Sequence, residues 1–255
     1  MSVWVTVPSK RPPAEVEKWA QAWHAQGYKI ALWIDSEDAY PRDLNIADRW
    51  MVDAGDGYPG YAVVTNRLIA AVFREDPEAR WCVIGGDDVF PDTTKRADEI
   101  ARECEAYFAE KQQNLNAATF GVMQPTGNRW GESAQSIDQY GPECAAYIDR
   151  ICGSAFLGRE FCLRINGGRG PLWPEFFHMH VDEALFCVTE KLGILWQRRD
   201  LTHDHRHWAN KPNATHDDCP EFLRKVNTKE HWAESLAILN RLKAEGFKEY
   251  LEMAP

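Results

Sequence analysis

The hydrophobic positions at the start of the chain follow the two periods that distinguish strands from helices. Val3–Val7 is a short run of β-branched and aromatic residues that ends at Pro8, which predicts a strand. A helical face follows from about residue 15 to Gly27, with apolar residues at Val16, Trp19, Ala20 and Trp23. Residues 29–34 form a second apolar run, so the opening of the chain predicts a β-α-β unit, which builds parallel sheets.

The same periods predict alternating strands and helices downstream. Further strands are expected at 48–52, 81–84, 118–123, 148–157 and 194–197. Helices are expected at 61–74, 93–111, near Arg159 and at 181–192, and one helix or a helix pair over 229–251, with a polar loop at 124–142. We therefore predict an α/β fold with a mostly parallel central sheet flanked by helices. The expected organisation is one domain over 1–210 and a helical extension, 211–255, packed on it.

Composition and charge narrow the class of protein. The chain has 255 residues, of which 44% are hydrophobic, enough for one sizeable core. Its formal net charge of -10 argues against a dedicated nucleic-acid binder. The 7 cysteines are scattered and odd in number, which suits reduced thiols in a cytoplasm. The sequence begins without a signal-like segment and contains no apolar run of about 18 residues, so we expect a cytoplasmic protein without a membrane segment.

An acidic turn is the most informative segment. The strand predicted at 81–84 ends in Gly85-Gly86 and then two adjacent carboxylates, Asp87 and Asp88. In open α/β sheets, ligands bind beyond the carboxyl ends of the strands. Neighbouring carboxylates repel each other unless a cation or hydrogen bonds compensate, and Mg²⁺ or Mn²⁺ suits such oxygen ligands. The alternative is a polar turn that caps the helix predicted near residue 93.

A second acidic pair and a histidine cluster follow downstream. Asp182-Glu183 stands at a predicted helix start, where a carboxylate can be a positioned base or an ordinary helix cap. The cluster His203, His205 and His207 offers imidazole ligands for a metal, or forms a polar surface loop. The cluster also resembles the zinc motif of metallo-β-lactamase-type hydrolases. It departs from that motif because an Asp falls between its first two histidines, and the β-rich first half of those enzymes is missing.

The order of these features, over roughly residues 3 to 208, resembles the GT-A fold glycosyltransferases, particularly the family 2-like enzymes. The resemblance implies a Rossmann-like GT-A domain. It also implies that Asp88 binds the metal and that Asp87 contacts the ribose or sugar of the donor. Gly86 occupies the first position of a strict D-x-D motif, so the match is a variant. Among the histidines, His203 best matches the metal-binding histidine of the family, and His205 is second.

The same resemblance implies roles for other residues. The donor nucleotide sugar is expected to contact Pro8, Ser9, Lys10, Asp35, Asn66, Arg67, Gly153 and Ser154. Asp182-Glu183 resembles the family's acidic pair, one member of which is the catalytic base of inverting enzymes. The family order is usually Glu-Asp, which leaves the base open between the two, and we favour Asp182. Among the aromatic residues, Trp173 is the one expected on the acceptor side.

The implied activity is transfer of a sugar from a nucleotide-sugar donor to an acceptor hydroxyl, by an inverting single displacement that depends on Mn²⁺ or Mg²⁺. A UDP-sugar is the expected donor, and the acceptor can be a sugar, a protein or a modified DNA base. Three alternatives stay open. The first is a nucleotidyltransferase, although the glycine-rich loop that usually follows the first strand of such enzymes is missing. The second is a metallohydrolase that uses His203, His205 and His207. The third is a non-catalytic carbohydrate-binding protein.

Overall fold

A computed structural model of the protein describes residues 1–36, 40–41, 45–53, 57–113, 117–127, 147–208, 213 and 215–254. Its strands are β1 (Ser2–Pro8), β2 (Lys29–Ile34), β3 (Arg49–Val52), β4 (Ala79–Ile84), β5 (Val89–Phe90), β6 (Val122–Pro125), β7 (Phe156–Gly158), β8 (Leu195–Arg198) and β9 (Asp204–His205). Its helices are α1 (Pro13–Ala25), α2 (Tyr61–Glu75), α3 (Ala97–Gln112), α4 (Arg159–Arg164), α5 (Val181–Lys191), α6 (Glu221–Val226) and α7 (Lys229–Ala244).

Seven strands form the central sheet in the order β3-β2-β1-β4-β7-β6-β8, and β5 pairs with β9 in a separate two-stranded ribbon. The sheet is parallel except at β7, which runs antiparallel to both of its neighbours. From β1 the chain builds outward through β2 and β3, then returns to place β4 on the other side of β1. This reversal leaves a crevice beyond the carboxyl ends of β1 and β4. The predicted α/β, Rossmann-like fold is confirmed.

Apolar residues cover both faces of the sheet, as a parallel sheet requires. Along β2, Ile30, Leu32 and Ile34 pack into a core with α1 and α3. The alternate residues Ala31 and Trp33 pack into the opposite core with α2, α4 and α5. The period-two alternation of side chains thus divides the hydrophobic residues between two layers of helices.

Several predicted boundaries differ from the observed ones. The run 148–157 was predicted as a strand, but residues 147–150 form a 3-10 turn and only Phe156–Gly158 pairs in the sheet. A short apolar run does not distinguish a strand from a buried turn. The helix predicted at 93–111 begins at Ala97, because the Arg96 backbone N–H donates to the Glu99 carboxylate at 2.8 Å and caps it there. Within the loop predicted at 124–142, residues 128–142 lie outside the described residues.

The C-terminal segment packs on the core formed with α2. Leu239, Leu242, Phe247 and Tyr250 are buried in that core. The Tyr250 hydroxyl donates to the Pro171 carbonyl at 2.5 Å. The helix predicted over 229–251 ends at Ala244 and is followed by Gly246 with a φ of 66°, a left-handed conformation that suits glycine. None of the helices in the described part of the chain combines the length and the apolar character that a membrane crossing requires.

Candidate functional site

A cavity of about 720 Å³ lies at the carboxyl ends of β1 and β4. The turn after β1 contributes residues 8–11 to its wall, and the turn after β4 contributes residues 85–88. Asp35, directly after β2, also lines it. The volume falls in the range of small-molecule and cofactor sites. The cavity therefore lies at the switch point of the sheet, where the topology leaves a crevice.

The acidic turn is held from both sides. The indole N–H groups of Trp19 and Trp23 on α1 both donate to the Val89 carbonyl, at 2.8 and 3.0 Å. From the opposite side, the Tyr61 hydroxyl of α2 donates to the Gly85 carbonyl at 3.2 Å. These contacts fix the backbone that carries the two carboxylates. The short apolar run before the turn accounts for β4, but the sequence gives no signal for these side-chain anchors.

Gly86 is required by the position of the neighbouring carboxylate. A Cβ at this residue would lie 2.5 Å from Oδ1 of Asp88, closer than real contacts allow. The carboxylate is not free to retreat, because Arg11 and His205 contact it. The departure from a strict D-x-D motif therefore has a steric reason, since a side chain at the first position of this turn would have to displace the Asp88 carboxylate.

Arg11 supplies a positive charge between the two acids. Its Nε donates to Asp87 Oδ1 at 2.6 Å, and Nη2 lies 3.3 Å from Asp88 Oδ2. The Ser9 hydroxyl donates to the other oxygen of Asp87 at 2.6 Å. Burial raises the pKa of Asp87, and the charge of Arg11 opposes that rise. The sequence analysis missed Arg11. The signal that points to it is the adjacent acid pair, which needs a nearby cation, together with the basic turn after β1.

His205 is the histidine that reaches Asp88. In the two-stranded ribbon, His205 pairs with Val89, and its Nε2 lies 3.5 Å from Asp88 Oδ1. Burial acts to raise the pKa of Asp88, but the contacts with His205 and the charge of Arg11 outweigh it and lower the pKa to about 2. The His207 ring lies 5.2 Å from the His205 ring, and burial lowers the pKa of His207 to about 4. Near neutral pH the site thus offers an ionised carboxylate and the neutral imidazole of His207.

These side chains fit a cation that is shared with a ligand. Within the described part of the chain, no group of three or more His, Cys, Asp or Glu side chains is placed to hold a metal ion by itself. Asp88 and His205 supply two ligand groups of the right chemistry. Mg²⁺ is content with one or two protein ligands when phosphate oxygens complete its shell. Asp88 and His205 are therefore candidate ligands for a metal that takes its remaining ligands from another molecule.

His203, the preferred metal ligand of the sequence analysis, lies in the core. It is 1% exposed, with its ring 5.3 Å from that of Trp23 and 5.6 Å from that of Phe156. Burial lowers its pKa to about 4, which keeps the imidazole neutral. His203 does not line the cavity and is not brought to Asp88. The spacing of the three histidines could not show that the first one packs inward.

The second acidic pair is split between two environments. Asp182, in the first turn of α5, lines the cavity, and burial raises the pKa of its carboxyl. Glu183 is not among the cavity-lining residues. Its Oε2 lies 2.6 Å from His180 Nδ1, and this contact lowers the pKa of Glu183. Of the two acids, Asp182 is the one with a raised proton affinity inside the cavity, as a general base requires.

Two residues expected on the donor side, Asn66 and Arg67, lie outside the lining of the cavity. The Asn66 side chain brackets the Leu172 peptide group, donating to its carbonyl at 2.7 Å and accepting from its N–H at 3.0 Å. Arg67 extends over the ring of Trp33, with its guanidinium carbon 6.0 Å from the ring centroid. Neither residue is among those that line the cavity. Asn66 therefore fixes a loop of the cavity wall from behind and does not face its interior.

The segment after residue 150 contributes one of its predicted residues. Gly153 lines the cavity, whereas Ser154 lies behind it, fully buried, with its N–H donating to the Gln124 side chain at 3.3 Å.

Trp173, expected on the acceptor side, is 2% exposed, and its ring packs 5.4 Å from that of Tyr250. Trp173 is a core residue, and an acceptor molecule cannot reach it.

One wall of the cavity comes from the C-terminal segment, in which the sequence analysis named no site residue. Phe222 of α6 lies under the guanidinium of Arg11 at 6.0 Å, and Trp232 of α7 lies 4.9 Å from His180. Residues of α6 between these contacts also line the cavity. The segment from 221 to 232 therefore spans the cavity from the acidic turn to the start of α5. No sequence motif indicates this wall, because α6 is only 6 residues long and buries none of them.

The fold and the site together define a Rossmann-like α/β protein with a cavity at its topological switch point, lined by apolar residues together with acids and histidines. The chain matches none of the protein families compared with it, and no curated protein is significantly similar to it.

Proposed function

We propose that this protein is a glycosyltransferase, which uses Mn²⁺ or Mg²⁺ to transfer a sugar from a nucleoside-diphosphate sugar to an acceptor hydroxyl. One observation carries the proposal. Asp88, His205 and Asp182, which come from three distant parts of the chain, line one cavity at the switch point of the sheet. Two potential metal ligands, Asp88 and His205, and a carboxyl group of raised pKa, that of Asp182, thus line one cavity that is large enough for a nucleotide sugar.

The ends of β1 and β2 are the proposed nucleotide side of the cavity. Ser9 and Lys10 line this side, and the Lys10 ammonium pairs with the Asp35 carboxylate. The rings of Trp33 and Tyr58 also line it and offer flat faces to a base. A uridine base is the expected occupant, as the resemblance to GT-A enzymes implies.

The diphosphate is proposed to lie between the acidic turn and α6. Asp88 would share the cation with His205, and a bound cation would stabilise the negative charge that grows on the departing diphosphate. Arg11 lies at the same place, with a cationic guanidinium already directed at both acids. Such fixed charges act without reorganisation during the reaction.

Asp182 is the proposed base. In an inverting displacement, the acceptor oxygen attacks the anomeric carbon while a carboxylate removes the proton of that hydroxyl. Because burial raises the pKa of Asp182, its carboxylate accepts a proton more readily than an exposed one does. Glu183, engaged with His180 and lowered in pKa, is less suited to this role.

A hydrolase that uses all three histidines is not favoured. Such a centre needs His203 beside His205 and His207, and His203 packs against Trp23 and Phe156 in the core. No other observation in the described residues favours that chemistry.

Calorimetric titration with UDP, GDP and their sugars, with and without Mn²⁺, tests the proposal. Nucleoside diphosphate should bind in a metal-dependent manner, and Asp88→Ala should weaken that binding by more than about tenfold. Asp98→Ala is the matched control, because Asp98 is a surface residue of α3 paired with Arg102. Normal metal-dependent binding in Asp88→Ala would contradict the assignment of the metal site. Binding of a triphosphate with release of pyrophosphate would indicate nucleotidyl transfer instead.

A further inference from the structure

Two exposed aromatic side chains lie where the cavity opens near α5. Trp232 is 48% exposed and Tyr147 is 38% exposed, and both line the cavity. Aromatic side chains usually bury most of their surface. Two exposed aromatic side chains on a cavity wall therefore indicate a surface that binds a ligand. The Trp232 ring is positioned by His180, whose ring lies 4.9 Å away at an interplanar angle of 71°.

Buried polar atoms without partners surround the same opening. His178 Nδ1, His180 Nε2 and Asn227 Oδ1 find no hydrogen-bond partner among the described residues. All three residues line the cavity. A buried polar atom without a partner costs free energy, which a ligand recovers when it supplies the missing hydrogen bonds. Asn227 Oδ1 needs a donor, and a neutral imidazole nitrogen can need either a donor or an acceptor. A hydroxyl group provides both.

We propose that Trp232 stacks on a sugar ring of the acceptor, and that the acceptor is a neutral saccharide or glycoside. A sugar ring presents an apolar C–H face to an aromatic ring and hydroxyl groups around its edge, which matches the combination found here. This inference rests on the proposed function, because the acceptor hydroxyl must reach Asp182. The contact of Trp232 with His180, two residues before Asp182, places the stacking surface next to that base.

The charge around the opening disfavours a phosphodiester acceptor. Asp182 lines the cavity near this opening, and Glu183 follows it directly in the chain. A DNA acceptor would bring its phosphates toward these acids, on a chain of net charge -10. A neutral acceptor meets no such repulsion.

Binding of small saccharides to the full chain tests this inference without requiring turnover. The probes are methyl α-glucoside, methyl β-glucoside and maltotriose, followed by saturation-transfer NMR and titration, and a DNA duplex that contains 5-hydroxymethylcytosine. At least one saccharide should bind, and Trp232→Ala should weaken its binding roughly tenfold, while Trp232→Phe keeps most of it. Leu236→Ala is the matched control, because Leu236 is a 39% exposed residue of the same helix that does not line the cavity. It should leave saccharide binding unchanged.

Binding of UDP with Mn²⁺ is measured on the same samples, so that this inference and the proposed function can fail separately. Trp232→Ala should keep UDP binding, which also shows that the variant is folded. Absence of saccharide binding alongside normal UDP binding would overturn the acceptor assignment and leave the transferase proposal standing. Binding of the DNA duplex that depends on Trp232 would overturn it in favour of a nucleic-acid acceptor. Saccharide binding without any nucleotide binding would support the Trp232 site and overturn the transferase.

Discussion

The buried histidine of the core makes stability depend on pH in a way that can be calculated. Burial lowers the pKa of His203 to about 4, whereas a histidine in an unfolded chain titrates near 6.5. The unfolded state therefore binds more protons than the folded state between these values, and stability falls as the pH falls from 6.5 toward 4. The two pKa values correspond to a loss of about 2 kcal/mol between pH 7 and pH 5, and of about 3 kcal/mol well below pH 4.

His203→Phe tests this directly, because a phenyl ring can keep the contacts with Trp23 and Phe156 but cannot take up a proton. Urea unfolding at pH 7 and pH 5, with a chelator present, should show that the wild type loses about 2 kcal/mol more than the variant. Other titrating groups contribute equally to both proteins and cancel in the difference. His24→Gln, which removes a surface histidine paired with Asp48, should retain the acid sensitivity of the wild type.

Equal acid sensitivity in the wild type and His203→Phe would refute the assignment of a neutral, buried His203. The same variant also separates the two candidate metal ligands. Mn²⁺-dependent nucleotide binding should survive in His203→Phe and be lost in His205→Ala, because His205 contacts Asp88 whereas His203 packs in the core. Loss of this binding in His203→Phe and its survival in His205→Ala would indicate that His203, not His205, is the metal ligand.

Two further predictions concern the acids of the cavity. Gly86→Ala should weaken Mn²⁺ binding at least about tenfold in calorimetry, because the new Cβ would displace Asp88 from its contacts, and unchanged affinity would contradict the steric argument. Asp182→Asn should lower the transfer rate by a factor on the order of 10²–10⁴ while nucleotide binding stays normal. Glu183→Gln is its control. A larger loss of rate in Glu183→Gln than in Asp182→Asn would indicate that Glu183 is the base.

The fold was predictable because its elements are local patterns. β2 has the predicted bounds of residues 29–34, and α2 begins at Tyr61 as predicted. Both are apolar or periodic runs with a glycine or an acid at one end. The run at 148–157 was not assigned correctly, because polar residues and a glycine interrupt it and leave no clear periodicity, so the packing of the whole chain decides its conformation.

The residues of the candidate site could be predicted where they directly follow a strand. They could not be predicted where the direction of a side chain decides whether it faces the cavity. The turns after β1 and β4 reach the cavity because topology alone brings them together. His203 and His205 are only two residues apart, yet one packs in the core and the other contacts Asp88. Trp173 and Trp232 are both tryptophans beside polar segments, and only the fold distinguishes the buried one from the exposed one.

The wall formed by residues 221 to 232 has a consequence for how the protein is made. All seven strands of the central sheet have been synthesised once Arg198 has left the ribosome, and they can pair before the wall exists. Until Phe222 and Trp232 follow, the nascent chain presents the acidic turn in an open crevice. The cavity is therefore completed only after every strand of the central sheet has been synthesised.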